Sequence, residues 1–143
     1  MAEYNKAFFK LYESFFLKLK EKLGTKGIEI WKETMGEALT KAYLEGGAQK
    51  GKGVDEFITF VGERDKGVGL EVSFEKTENG FIYRFHTDPF PGLKGKTDWK
   101  ILVDGYLSAK RDFFLGENWN YKTIKHIWEG DDCTEHVLWL SRK

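Results

Sequence analysis

Three histidines, one cysteine and a scatter of carboxylates near apparent strand ends are what this chain offers for chemistry. They fall into three places: His86 with Asp88, His126, and the run Gly130-Asp131-Asp132-Cys133-Thr134-Glu135-His136. Cys133 is the only thiol, so an internal disulfide and a multi-cysteine zinc site are excluded. A thiolate beside a histidine can act as nucleophile or metal ligand, and Cys133 and His136 have C-x-x-H spacing. Along a regular strand, however, positions three apart point to opposite faces, so the two meet one metal only if Cys133 lies in a turn or at a bulge. A buried small hydrophobe is the commoner fate of a free cysteine.

His86 and Asp88 bracket a strand end, where a carboxylate can fix an imidazole tautomer for general-base work. An aspartate before Pro89 is equally ordinary turn chemistry. His126, between Ile124 and Trp128, reads as a mid-strand histidine with a satisfied hydrogen bond. Asp104 and Asp112 are eight residues apart, so they share one side of a helix, and with Lys100 and Lys110 nearby they read as its solvated face. No phosphate loop, dinucleotide fingerprint, nucleophile elbow or His-Glu-x-x-His is present.

The elements that must position these residues follow from periodicity. Phe8, Leu11, Tyr12, Phe15, Leu19 and Leu23 recur at helical spacing in the first twenty-odd residues, and Gly24 is a natural stop. This Phe-rich stripe could dock on a membrane surface, but covering a sheet explains it more cheaply. A second helix is expected from about Ile28 to Glu45, with Trp31, Met35 and Leu39 on one side. A third runs roughly from Val54 to Glu63, although Ile-Thr-Phe-Val would also suit a strand. The period then changes to two. Val68, Leu70, Val72 and Phe74 alternate with polar residues, Glu78-Asn79-Gly80 supplies the turn, and Phe81 to His86 returns. Asn-Gly favours a two-residue hairpin loop with positive φ. After the two prolines, Thr97 resembles an N-cap for a fourth helix running to about Leu115, burying Leu102, Tyr106, Ala109 and Phe113. Trp119 to Trp128 and Cys133 to Leu140 read as a second hairpin around Gly130-Asp131-Asp132.

The expected class is therefore α+β: N-terminal helices, then two antiparallel β-hairpins separated by a helix, forming one antiparallel sheet covered by helices. The 143 residues suit a single domain over 1–143, long enough to bury about two-thirds of the unfolded surface. Aromatic residues make up 16%, which opposes intrinsic disorder. Lys+Arg and Asp+Glu are both 23, so no basic excess marks a nucleic-acid binder. No ~20-residue apolar span or signal-peptide pattern is seen, so the expectation is a cytoplasmic protein without a membrane span. The oligomeric state is left open, a homodimer among the options.

The stretch Tyr106 to His136 (YLSAKRDFFLGENWNYKTIKHIWEGDDCTEH) resembles the L-2-amino-thiazoline-4-carboxylic acid hydrolase-like family. The family pattern is a helix with an aspartate near its end, an Asn-containing loop, a strand, then a Gly-Asp turn and a cysteine in the last strand. Asp112, Asn118, Gly130, Asp131 and Cys133 match it here. Thr87-Asp88-Pro89 falls where many relatives have a Cys-Pro pair, and the spacing from Gly-Asp to the cysteine is one residue shorter. The resemblance covers the last third of the chain well, and the N-terminal half only in element order. It implies hydrolytic opening of a thiazoline-type ring, and an architecture similar to vinyl-4-reductase-type small-molecule-binding domains.

Two functions from different classes follow. In the hydrolase-like reading, a small cyclic or amide-like metabolite sits between sheet and helices. Cys133 is nucleophile or ligand, His136 or His126 the base, and Asp131 the group that orients it; Asp88, Tyr83, Tyr106, Trp128 and Trp139 line the site. In the other, the chain is a non-catalytic domain binding a small apolar ligand. Convergence of Cys133, a histidine and a carboxylate would favour the first; a closed apolar pocket between the first helices and the sheet would favour the second. Neither reading requires a cofactor, and no tightly bound transition metal is expected.

Overall fold

The computed structural model describes residues 3–141. Among these described residues four α-helices, α1 (Lys6–Leu23), α2 (Thr25–Glu45), α3 (Val54–Gly67) and α4 (Trp99–Phe114), accompany four strands, β1 (Val72–Lys76), β2 (Gly80–Phe85), β3 (Trp119–Lys125) and β4 (Thr134–Leu140). The strands form one antiparallel sheet in the order β1-β2-β4-β3, so the two hairpins join along β2 and β4. The fold is α+β, as the change of period in the sequence implied. Among the described residues no helix is long and apolar enough to cross a membrane.

The helices begin and end where local chemistry allows. The Asn5 side chain accepts from the Phe8 N–H at 3.1 Å to open α1. Gly24, at φ +59°, closes α1 and turns the chain directly into α2, which starts three residues before Ile28. α1 buries Phe9 and Phe16, with Phe8, Tyr12 and Leu19 half-covered. Leu11, Phe15 and Leu23, expected on the same stripe, lie exposed, Leu11 by 70%. The stripe is therefore rotated by about one residue. Asp98, not Thr97, caps α4, accepting from the Lys100 N–H at 3.0 Å.

α3 is a helix and outlasts the expected Glu63, because Phe57, Val61 and Asp65 continue one inward face at four-residue intervals. Val68 caps it, and the Leu70 N–H bonds the Asp65 carbonyl at 2.9 Å. The C-cap and the turn after it thus take up residues 68–70, which alternation assigns to a strand, and β1 starts only at Val72. The first hairpin also turns differently. Thr77 N–H bonds Gly80 O at 2.9 Å, so Glu78 and Asn79 form the loop, and no non-glycine residue among those described has positive φ. Gly80 is needed for a different reason: a Cβ there would lie 1.9 Å from the Leu138 carbonyl oxygen of β4.

Alternation fixes the two faces of the sheet. Phe81, Tyr83 and Phe85 of β2, and His136 and Leu138 of β4, point at the helices and are buried. Phe57 of α3 packs on Phe81 and Tyr83, and Tyr106 of α4 stacks on Phe85 with ring centres 5.3 Å apart. α2 lies on α4, and α1 on α2. Trp31 of α2 links these layers, with Phe16 and Phe90 edge-on to its ring.

Candidate functional site

The inner face of the sheet carries a chain of polar groups where an apolar core would be cheaper. Tyr83 on β2 projects toward α3 and α4 and donates its hydroxyl proton to Asp65 Oδ2. Lys110 Nζ on α4 donates to the same hydroxyl oxygen at 2.9 Å and lies 3.6 Å from Asp65 Oδ1. The Lys110 and Asp65 side chains are only 4% and 8% exposed. Three rings box the ammonium, with their centres 5.0 Å (Tyr106), 5.2 Å (Tyr83) and 5.5 Å (Phe85) from Nζ.

Burial pushes the Asp65 carboxyl up from its ordinary range and the Lys110 amine down, although each partner's charge opposes the other's shift. Both shifts favour handing the proton from nitrogen to oxygen. Burial likewise raises the Tyr83 and Tyr106 phenols, so both stay protonated at neutral pH.

His136 lies beside this group. Its Nε2 meets the Tyr106 hydroxyl at 2.8 Å and its Nδ1 meets Thr123 Oγ1 at 2.8 Å. Burial first, then the nearby Lys110 charge, brings its pKa down to about 3. The ring is therefore neutral, so one nitrogen donates and the other accepts in these two bonds. Both nitrogens are engaged by protein groups.

Above Lys110 and Asp65 is a cavity of about 60 Å³. Phe8, Phe9 and Tyr12 of α1, Met35 and Leu39 of α2, and Phe90 form much of its wall; Phe85 and Tyr106 line its sheet side. Its charged groups are those of Arg64, Asp65 and Lys110, which together carry a formal +1. This is an apolar chamber with a few convergent polar groups, the usual form of a small-molecule site.

The structure separates the residues that sequence spacing had grouped. Cys133 precedes β4 on the outer side of the sheet, where Arg84 pairs with Glu135 at 2.6 Å, while His136 points inward. The thiol is 7% exposed, and burial, then Asp132 and Glu135, raises its pKa. No hydrogen bond links Cys133 to a histidine among the described residues, nor do three or more His, Cys, Asp or Glu gather there as a metal-ligating group.

His126 is not mid-strand. The β3–β4 register shifts between Thr123 and Lys125, and His126 follows β3, opening a short 3₁₀ turn at Ile127–Glu129. Its Nδ1 accepts from the Trp128 N–H at 3.0 Å, and its ring stacks on Trp99 at 4.5 Å. Burial lowers its pKa against the pull of Asp88, Glu129 and Asp131. Asp131 accepts from the His126 backbone N–H at 2.8 Å and so braces this turn rather than an imidazole. Asp88 accepts from the Trp128 indole N–H at 2.7 Å and from the Phe90 N–H at 2.9 Å, tying the proline loop to the same turn. His86, on the outer face, meets Ser73 Oγ at 2.8 Å.

Of the expected lining residues, Tyr106 borders the cavity and Tyr83 lies directly under it, bonded to Lys110. Trp139 sits on the outer face, opposite Tyr83, since it alternates with His136 and Leu138 along β4. Sequence reasoning missed Asp65 and placed Lys110 on the solvated face of α4. Asp104 and Asp112 are exposed as expected.

No protein-family model matches this chain, and no curated protein matches it in sequence.

Proposed function

We propose that this chain binds a small, largely apolar molecule carrying one oxygen-bearing polar group, in the cavity between α1, α2 and the sheet. The observation that supports this reading is an aromatic-walled cavity whose floor is a buried amine and carboxylate. A buried ion pair is a poor device for stability, since apolar residues of similar volume generally do as well or better. A cavity that a ligand enters gives such a pair a use. The apolar wall takes the body of the ligand, and Lys110 with Arg64 attracts a carboxylate or carbonyl oxygen. The volume is well under the roughly 150 Å³ that holds a benzene, so the cavity takes only a few heavy atoms and a four-carbon chain reaches out through its open mouth.

The thiazoline-hydrolase reading rests on the resemblance of residues 106–136. It would place Cys133 in the chemistry, and the geometry lends it no catalytic partner. The binding reading draws on packing, burial and charge together, and it is the one we adopt.

Thermal-shift measurements with short-chain carboxylates, aldehydes and the corresponding alkanes test it. A ligand at ~100 times its dissociation constant adds about 2.7 kcal/mol to stability. Oxygen-bearing ligands should stabilise the protein and alkanes less so. Leu39→Trp, which fills the cavity from the half-buried flank of α2, should abolish the effect while the protein stays folded. Equal stabilisation of wild type and Leu39→Trp would place binding elsewhere.

A further inference from the structure

We propose that Lys110 forms an imine with a small aldehyde or ketone seated in the cavity, with Tyr83 and Asp65 carrying away the proton that the amine must lose. The inference rests on the cavity being a ligand site and goes beyond it in naming a covalent step.

Three features meet at one nitrogen. Lys110 borders the cavity and is the one amine among the residues that line it. The amine donates to Tyr83 Oη at 2.9 Å, and Tyr83 donates onward to Asp65. That is a continuous two-bond path from the ammonium to a largely buried carboxylate. Moving one proton along each bond leaves a neutral lysine, a neutral aspartic acid and an unchanged tyrosine. The rings of Tyr83, Phe85 and Tyr106 that surround Nζ favour a cation there, and a protonated imine is such a cation. Burial shifts Asp65 and Lys110 in the directions this transfer needs. Desolvation in an apolar pocket is a recognised way to turn a lysine into a nucleophile.

The step balances. The neutral amine lone pair attacks the carbonyl carbon, the C–N bond forms, and the C=O π electrons move to oxygen. That oxygen takes the proton held by Asp65, and an N–H proton returns through Tyr83 to the carboxylate. The carbinolamine hydroxyl then leaves as water with that proton, and the nitrogen lone pair closes the C=N bond. Ammonium plus carbonyl gives protonated imine plus one water; the summed charge of Lys110, Asp65 and the substrate is zero at every stage, and Asp65 ends ionised. No redox partner is involved. Arg64, Tyr106 and His136 are the other titratable groups facing this nitrogen, and none is required to change charge.

The 143-residue protein incubated at pH 6 with butanal and sodium cyanoborohydride, then digested and mapped by mass spectrometry, tests this directly. At pH 6 exposed lysines are almost entirely protonated, so the expected result is a butyl adduct on Lys110 ahead of every exposed lysine. Tyr83→Phe, which keeps the ring and removes the relay, should slow the Lys110 adduct roughly 100-fold. In parallel, the Met35 methyl resonance is followed during titration with butan-1-ol and with butanal, since Met35 lines the cavity. A methyl shift with both compounds but no preferential Lys110 adduct would overturn the imine and leave the binding reading standing. No shift with either compound and no adduct would remove both.

Discussion

Acidification should unfold this protein through His136, and the size of the effect follows from two numbers. In the folded chain the imidazole is held neutral, its pKa brought from 6.5 to about 3 by burial and by the Lys110 charge. In the unfolded chain the same ring protonates near its ordinary value. Between these limits the unfolded state binds one more proton, so stability falls as pH falls, by up to about 1.36 kcal/mol per unit. The contribution is complete above the unfolded pKa and is lost on the way down toward the folded one. From pH 7.5 to about pH 4.5 the loss is roughly two units' worth, or about 2.7 kcal/mol. Its size there is set by the unfolded value, because the folded ring takes up almost no proton at that pH. His126, also lowered by burial, adds to the slope in the same direction. The informative quantity is therefore the difference between wild type and His136→Gln, whose amide can still bond Tyr106 and Thr123 but does not titrate. Urea unfolding followed by tryptophan fluorescence at several pH values gives it. The stability gap between the two proteins should narrow by about 2.7 kcal/mol over that range. Parallel pH profiles would refute a buried neutral His136 and, with it, the account of the polar cluster.

The buried pair should show its cost in the same assay. Lys110→Met alone should destabilise by about 3–5 kcal/mol by leaving the Asp65 charge unpaired, while Lys110→Met with Asp65→Leu should recover most of that loss; equal losses in the two proteins would count against an ionised pair. Gly80→Ala should cost at least ~2 kcal/mol, as its Cβ would overlap the Leu138 carbonyl and force β2 and β4 apart. Loss of amide-exchange protection concentrated along β2 and β4 is the expected signature, and an unchanged exchange pattern would contradict it. Cys133→Ala should leave ligand binding in the cavity unchanged, since the thiol sits on the other side of the sheet; calorimetry with butanoate checks this.

Much of the architecture was legible because periodicity reports which side of an element is covered. The stripe of α2 and the alternation of Phe81, Tyr83 and Phe85 led directly to buried faces. Boundaries were harder to read where two patterns overlap. Residues 64–70 carry both the end of a helical stripe and the start of an alternation, and the helix prevailed through Asp65. The Asn79-Gly80 pair suggested a positive-φ turn, whereas the glycine serves the approach of β4, a contact invisible to local sequence.

The site was less legible for a related reason. Lys110 sits four residues after Tyr106 and three before Phe113, in the middle of the buried stripe of α4. Asp65 lies four after Val61, and His136 alternates with Leu138. Each is a polar residue at an apolar position, which is a signal for a buried cluster that single-residue chemistry overlooks. Cys133 and the Gly-Asp turn drew more notice because their residue types are reactive. Only the strand alternation, which sets Cys133 and His136 on opposite faces, pointed the other way, and the observed β4 follows it.

The most direct test of the central claim is a crystal structure of the protein grown with butanoate at a saturating concentration established by calorimetry. Density should lie between Phe90, Met35 and Tyr106, with one carboxylate oxygen within hydrogen-bond distance of Lys110 Nζ. Butanoate bound at any other place, with this cavity holding only water, would contradict the account.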